Sequence, residues 1–400
     1  MKKALISIII TAVMIALAIF IYRYQILQYS AETFIRKTLP KYVVFDKISF
    51  DPKSSRVILK GLKILNPPDF SSSYLLEIDE FVCGYKLKGK SIADGIEIFD
   101  PILNKCVLNV ERLDDGRLNL AEMEKELTKT ASPATGEVTE KGREEGGRPM
   151  MIGSSRLSGL IKLPETFLLK SSKAVFVDKF TGSVPYTISF ENVEAKLIVK
   201  LDENYSKIIS FASVGGGNVN GRHDEIIKWN ISLNPTTPRL TMSNRLDAYD
   251  VQIKTFEPYY DKYSPLVFES GRFSGTLIFD FYNGSIGSTN ELHLSGFRFY
   301  VKPGYENKGF WDTTVPDLVK YFTSPYGEIV FDFKIKGDMD NPNFYLGPIS
   351  KQALTSMAID KISQAIAEAS NKGSGQSGAP KSDIQKAKEY IDMFKGFIKK

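Results

Sequence analysis

Few residues of this chain have the types and spacing that catalysis requires. His223 and Asp224 could form an acid–base couple, but adjacent residues of a strand point to opposite faces, so a polar loop is the favoured interpretation. The run "GGGN" at 215–218 lacks the Gly-Lys pair of a phosphate-binding loop, and we interpret it as a flexible hairpin loop. We therefore expect no catalytic residue and no enzymatic activity.

The histidines and cysteines also argue against a metal site. His223 and His293 are the two histidines, and Cys83 and Cys106 are the two cysteines, with no ligand-like spacing among them. We predict neither a metal nor a cofactor. The cysteines could pair in an oxidising compartment, or pack separately as small apolar side chains, and the second interpretation is favoured.

Charge and composition restrict the function further. The chain has 52 basic and 47 acidic residues, a net charge of +5, and this near balance does not indicate nucleic-acid binding. The 26 Phe and 19 Tyr among 400 residues are typical of β-structure.

The chemistry that remains is apolar. Residues 273–281 and 329–335 alternate between apolar and mostly polar side chains, which predicts long strands with one hydrophobic face. Such a face could form a sealed core or hold lipid, and ordinary packing remains an alternative at every position. The candidate lipid-groove residues are Phe273, Leu277, Phe279, Phe281, Leu292, Leu294, Ile329, Phe331, Phe333 and Ile335.

The first residues predict a membrane anchor. Lys2 and Lys3 precede an uncharged run over 4–21, long enough to span a bilayer, and we assign 1–22 as a transmembrane signal anchor. A cleavable signal peptide is the competing interpretation, because 16–18 resembles a cleavage site; the still apolar 19–21 favours the anchor. Basic residues flank the run on both sides, so charge alone does not determine its orientation.

The end of the chain predicts a docking helix. A helix is expected over 349–370, a flexible linker over 371–381 and a basic amphipathic helix over 382–400, where six lysines oppose three acids from 381 onward. Such a helix suits a membrane surface or a protein partner, although it could pack on the chain's own sheet. Its apolar docking residues are Ile384, Tyr390, Ile391, Phe394, Phe397 and Ile398.

Between these ends the sequence predicts a mainly β fold. Short alternating runs punctuated by Gly, Pro, Asn and Asp predict an antiparallel-rich sheet, since helix-length patterns are absent between 160 and 310. The predicted regions are a connecting helix over 23–40, an N-terminal β region over 41–127, a disordered linker over 128–150 and a larger β-rich region over 151–348.

Several stretches resemble a known family when taken in order. They are "FEPYYDKY" (256–263), "ESGRFSGTLIFDFYNGSIGSTNELHLSGF" (269–297), "DGRLNL" (115–120) and "GEIVFDFKIKGDMDNPNFYLG" (327–347). In this order and spacing they resemble the AsmA-like family of bacterial envelope proteins, in particular its domain-of-unknown-function branch of the bridge-like periplasmic lipid-transfer type. The chain is short for that family, and residues 128–150 and the last 20 depart from it.

The resemblance implies a fold and a role. The fold would be an N-terminal transmembrane helix followed by an elongated, twisted, antiparallel-rich β-sheet, half-rolled with an apolar groove, and C-terminal helices. The protein would be a single-pass protein of the bacterial inner membrane with its body in the periplasm, conducting phospholipid acyl chains for outer-membrane biogenesis. Its partners would be phospholipid, the inner membrane and an outer-membrane or envelope protein docked by the C-terminal helix, with no nucleic acid.

Two other function classes follow from the same residues. The strands could form closed β-sandwich domains of a non-catalytic envelope scaffold or assembly factor. An envelope hydrolase is disfavoured, because the sequence shows no nucleophile–base pair.

Overall fold

The computed structural model describes residues 41–125, 161–305 and 314–373, apart from short gaps at 52, 90–94, 124, 204–207, 262–263 and 265, and five positions between 29 and 39. The predicted anchor (1–22), the linker (128–150) and the basic helix (382–400) lie outside the described residues. Within the described part of the chain, no helix combines the length and apolarity needed to cross a membrane.

The connecting segment predicted over 23–40 is helical at its described positions Tyr29, Glu32, Thr33 and Arg36. The Arg36 guanidinium donates to the carbonyl oxygens of Phe45 and Asp46, at 3.0 and 2.8 Å, and lies over the Phe45 ring. These contacts join the segment to the first strands.

The chain divides into two compact units. Unit 1 comprises residues 1–139 and 149–209, and unit 2 comprises residues 140–148 and 210–400. Residues 151–209, which we grouped with the later strands from sequence, fall in unit 1 together with the N-terminal β region.

The strands of unit 1 are β1 (Val43–Val44), β2 (Lys47–Asp51), β3 (Arg56–Leu65), β4 (Tyr74–Leu87), β5 (Ile96–Arg112), β6 (Ile161–Lys162), β7 (Thr166–Asp178) and β8 (Tyr186–Leu201). The strand order is β1-β3-β4-β5-β7-β8. Outside this order, β2 pairs with β3 and β6 pairs with β5.

The sheet of unit 1 is mixed, which refines the antiparallel prediction. β5 pairs in parallel with β6 and β7, whereas its pairing with β4 is antiparallel. Parallel neighbours need a long crossover, and the segment 113–160 between β5 and β6 provides one.

Unit 2 is an antiparallel meander whose seven strands follow one another in chain order. Two-residue loops at 283–284 and 339–340 join two of its strand pairs, and sequential neighbours pair without crossovers. The strands are β9 (Ile208–Val219), β10 (Ile226–Leu233), β11 (Met242–Gln252), β12 (Leu266–Tyr282), β13 (Ser285–Val301), β14 (Ile329–Asp338) and β15 (Asn341–Leu346).

Short helices interrupt the meander of unit 2. A 3-10 turn (Ile253–Phe256) and α1 (Glu257–Tyr260) precede β12, and α2 (Val315–Phe322) precedes β14. The helix predicted over 349–370 corresponds to α3 (Pro348–Gly373). Its buried residues Leu354, Met357 and Ala358 form part of the core of unit 2.

Residues with positive φ occur within the strands of both units. In unit 1, Gly61 (φ 62°), Lys105 (φ 51°) and Ser171 (φ 48°) lie in register across β3, β5 and β7, with Asp79 of β4 between the first two. In unit 2, Asp250 lies at the register shift between β11 and β12, and Gly271 and Gly296 lie at the shift between β12 and β13; all three have positive φ. Irregularities of this kind bend strands and increase their twist, so both sheets depart from flat pleating.

Candidate functional site: an apolar face of unit 2

The strand register brings the predicted groove residues together. Phe273 of β12 lies opposite Leu294 of β13, and Leu294 lies opposite Ile329 of β14. Leu292 likewise pairs with Phe331. Directly paired residues share a face, and so do alternate residues along each strand. All ten candidates therefore lie on one face of the sheet.

The same face continues over the flanking strands. Leu277 lies opposite Leu246 of β11, which lies opposite Trp229 of β10. On the other side, Ile335 lies opposite Phe344 of β15. We call these positions the apolar face; besides the ten candidates it contains Phe211, Ser213, Gly215, Gly217, Ile227, Trp229, Ile231, Leu233, Met242, Asn244, Leu246, Ala248, Val251, Gly275, Ile286, Ser288, Asn290, Phe344 and Leu346.

The apolar face carries no charged side chain among these positions, whereas the opposite face is charged and polar. On the opposite face the Arg245 guanidinium contacts Asp247 at 2.8 Å, and Asp247 also accepts from the Thr276 hydroxyl. The His293 ring lies 2.7 Å from Glu291. The sheet of unit 2 is thus amphipathic across its full width.

The ten candidates are neither sealed nor fully exposed. Each is partly exposed in the structure, and so are Ile227, Trp229, Ile231 and Leu233 on β10. On β15, Phe344 is 56% exposed. A closed core would bury most of these side chains, as the core of unit 2 buries Val219 and Met357, both 0% exposed.

Short helices contact the apolar face at particular places. Phe256 of the 3-10 turn packs edge-on against Phe273, with ring centroids 5.7 Å apart. Phe322 of α2 lies 6.0 Å from Phe331, which also contacts Phe333 and Phe344. These helices fix the aromatic side chains of the face.

Asn290 and Ser288, two polar residues of the apolar face, are bonded to each other and to backbone amides. The Asn290 side chain, 1% exposed, accepts from the Ile278 amide at 3.1 Å and donates to the Ser288 hydroxyl at 2.9 Å. That hydroxyl accepts in turn from the Ile335 amide at 2.8 Å. Because these groups satisfy each other within the sheet, the face presents mainly apolar atoms.

The resembling stretches contribute structure. Phe256 packs on Phe273, and a side chain at Gly275 would clash with the Glu291 carbonyl oxygen. Asn119 of "DGRLNL" is fully buried; it accepts from the Glu111 amide and donates to the Asn109 carbonyl oxygen. Sequence reasoning had not assigned these roles, because each depends on a neighbour in another strand or turn.

The acid–base candidates do not form a couple. Asp224 makes an ion pair with Arg272 at 2.8 Å, and this hydrogen bond lowers the pKa of its carboxyl. His223 is exposed in the same turn.

The prediction of a flexible hairpin loop at 215–218 is wrong: these residues belong to β9, where Gly215 lies opposite Trp229. The neighbouring strand β10 supplies the backbone partners that keep this glycine run extended.

The cysteines pack separately. Cys83 and Cys106 are both buried and free. Burial raises the pKa of the Cys83 thiol to about 11, and it also raises the pKa of the Cys106 thiol. Both thiols therefore stay protonated near neutral pH, as structural cysteines do.

The predicted C-terminal docking helix is not among the described residues. The six predicted docking residues, Ile384, Tyr390, Ile391, Phe394, Phe397 and Ile398, lie outside the described residues.

An ion-pair cluster that sequence analysis missed joins three hairpins of unit 2, and we call it the Arg239 clamp. The Arg239 guanidinium donates to Asp338 and Asp340, and the Arg239 amide donates to Asn283. No local pattern indicates this clamp, since its charges are about a hundred residues apart.

Comparison with known proteins adds no relative: no protein-family model and no curated protein matches this chain.

Proposed function

We propose that this protein is a non-catalytic factor of bacterial envelope biogenesis that binds or conducts phospholipid acyl chains on the apolar face of unit 2. The observation that carries the proposal is the partial exposure of all ten groove candidates on a face without charge. Large contiguous apolar surfaces on soluble domains usually mark a binding site.

Acyl chains match the chemistry of this face. Each CH₂ group removed from water contributes about 0.8 kcal/mol, so a chain lying across several strands is held without any specific polar contact. Asn290 and Ser288 satisfy each other, and they therefore impose little desolvation cost on an apolar ligand. A phosphate headgroup would remain in solvent at the rim. Neither a nucleotide nor a metal is needed for such binding.

The location of the protein is part of the same proposal. The uncharged run over 4–21 supports an inner-membrane anchor, and the resemblance to AsmA-like proteins supports a periplasmic body. An anchored body with an apolar face would carry lipid across an aqueous compartment, where water otherwise opposes the transfer of acyl chains.

Mass spectrometry of co-purified lipid tests the proposal. The full chain would be purified from membranes in mild detergent beside a Leu277→Asp, Phe331→Asp double variant and a matched Asn230→Asp, Thr289→Asp control on the exposed opposite face. We expect phospholipid on the wild type and the control, and its loss from the Leu277, Phe331 variant. Equal lipid in all three proteins, or none in any, would contradict the proposal and favour a scaffold with a sealed core.

A further inference from the structure

We propose that β15 pairs edge to edge with β15 of a second copy of this chain, about a two-fold axis. This pairing is independent of the proposed function, because it uses the backbone edge of the sheet and not a ligand of the apolar face. It is supported by the open edge of β15, by the absence of charge along the strand and by exposed apolar side chains on both sides of Phe344.

The outer edge of β15 has no partner strand within the described residues. β15 pairs with β14 on one side and is the last strand of the order. Just beyond it, the Gly347 amide donates to the Asp332 carbonyl oxygen of β14 at 2.8 Å. Backbone groups of a strand in an antiparallel pair point alternately to its two sides, so those of Pro342, Phe344 and Leu346 point away from β14. They offer two amide donors and three carbonyl acceptors, because proline has no amide hydrogen.

β15 lacks most of the features by which edge strands avoid pairing. Its sequence, NPNFYL, contains no charged residue, and its register against β14 runs over six residues without a bulge. Its first four residues are exposed. Pro342 protects the edge only near the start of the strand, where it removes one donor. The rest of the edge is therefore suited to accept another strand.

The first strands of unit 1 are protected where β15 is not. β1 has two residues, and β2 carries Lys47 and Asp51. Between these strands, the Arg36 guanidinium occupies the carbonyl oxygens of Phe45 and Asp46. A head-to-tail chain of copies would need this edge to pair with β15, whereas two β15 edges can pair with each other about a two-fold axis. The protection of the first strands thus favours a closed pair of copies.

Exposed apolar side chains lie at equal distances along the chain from Phe344. Met339 is five residues before it and Ile349 is five residues after it, and all three are exposed. In an antiparallel pair with Phe344 opposite its own copy, position 339 of each chain comes to the end where position 349 of the other lies. In this register each chain donates twice, from Phe344 to the second Phe344 and from Leu346 to the carbonyl oxygen of Pro342. The edge is therefore complementary to itself.

The pairing would join two apolar faces into one. Directly opposed residues of an antiparallel pair share a face, so the Phe344 side chains of the two copies would meet on the apolar face. On the opposite face Asn343 would lie opposite Tyr345, and no like charges would meet. The seven strands of each copy would then form one sheet of fourteen, about 62 Å wide at the usual strand spacing.

Site-specific photocrosslinking between copies tests the pairing. Two full-length chains with different affinity tags are co-expressed, and a photoreactive residue replaces Asn343 in one of them. The matched control replaces Asn230, an exposed asparagine on β10, which has paired strands on both sides. We expect the Asn343 probe to give severalfold more adducts that carry both tags, mapped by peptide mass spectrometry to Tyr345 and its neighbours in the second chain. Covalent capture suits a pair that buries less surface than a standard protein interface.

Two proline substitutions separate strand pairing from mere proximity. Leu346→Pro removes an amide hydrogen that points away from β14, and it should reduce the doubly tagged adducts severalfold. Pro342→Ala supplies a donor for the Leu346 carbonyl oxygen of the second copy, and it should raise their yield. Melting temperatures show whether either variant unfolds, and a gain in the mapped adduct from Pro342→Ala cannot come from unfolding. The second variant therefore decides the matter even where Leu346→Pro is destabilised.

Other outcomes would overturn the inference. Adducts confined to one chain would mean that another segment of the same copy covers the edge, and adducts with a different protein would mean that a foreign strand occupies it. Equal yields from Asn343 and Asn230, or yields that neither proline substitution changes, would mean that copies do not pair through β15.

Discussion

Hydrogen bonds from buried polar side chains connect the turns of unit 1. Glu111 is 2% exposed and accepts from the amide and the hydroxyl of Ser71, both at 2.8 Å, while the Lys179 ammonium lies 2.6 Å from its carboxylate. Asn119 connects the Glu111 amide to the Asn109 carbonyl oxygen. These residues join three segments that are far apart in the chain.

Replacing Asn119 tests this role. Asn119→Ala leaves a buried amide and a buried carbonyl without partners, and we expect a loss of at least about 2 kcal/mol in the free energy of unfolding. Urea denaturation of the full chain measures the change. The adjacent Leu120→Ala is the control, because Leu120 is largely exposed and should change stability by about 0.5 kcal/mol or less. Similar losses in both variants would contradict the assignment.

The Glu111 carboxylate should make the stability of unit 1 depend on pH. Burial raises the pKa of Glu111, but the Lys179 ammonium and the Ser71 hydrogen bonds lower it by more, so the pKa lies below its ordinary value of 4.5. Stability from this group is present above pH 4.5 and is lost as the pH falls through the lower, folded-state pKa.

A comparison of variants measures that dependence. The difference in urea midpoint between wild type and Glu111→Gln should be largest near pH 7 and shrink on acidification. Glu165→Gln, at an exposed position, should show no such trend. A Glu111→Gln difference that is constant with pH would show that the carboxylate charge contributes nothing.

At the level of elements, α3 is attached to the sheet through its first turn. Asp332→Ala removes the acceptors of two amides at the helix start and should destabilise that end by about 1–2 kcal/mol. Hydrogen–deuterium exchange should therefore accelerate over 349–358. The control is Lys334→Ala, two residues along the same strand. Unchanged exchange in Asp332→Ala would mean that packing of Met357 and its neighbours alone holds the helix.

Across the whole molecule, partly exposed and buried positions of unit 2 should differ in their tolerance to charge. Leu277 is partly exposed, so Leu277→Asp forfeits only part of its burial and should cost about 1 kcal/mol. Val219 is 0% exposed, and Val219→Asp buries an unpaired carboxylate, which should cost more than about 3 kcal/mol. Thermal melting of both full-length variants measures the contrast. Equal destabilisation would indicate that the apolar face is a closed core.

The sequence by itself determined the β class, the two sides of each strand and ten of the residues that form the apolar face. These follow from a side-chain period of two, which each strand carries locally. The candidates of each strand could therefore be placed on one side of that strand before any strand pairing was known, whereas the register decided that the three strands share the face.

Only the tertiary structure decided which strands are neighbours and what the polar residues do. The parallel pairing of β5 with β7, the Arg239 clamp and the burial of Asn119 depend on contacts between distant segments. Glycines 215–217 are extended because β10 pairs with them. Partial exposure of the apolar face is likewise a property of the assembled sheet, since the same alternation would describe a face sealed by another layer.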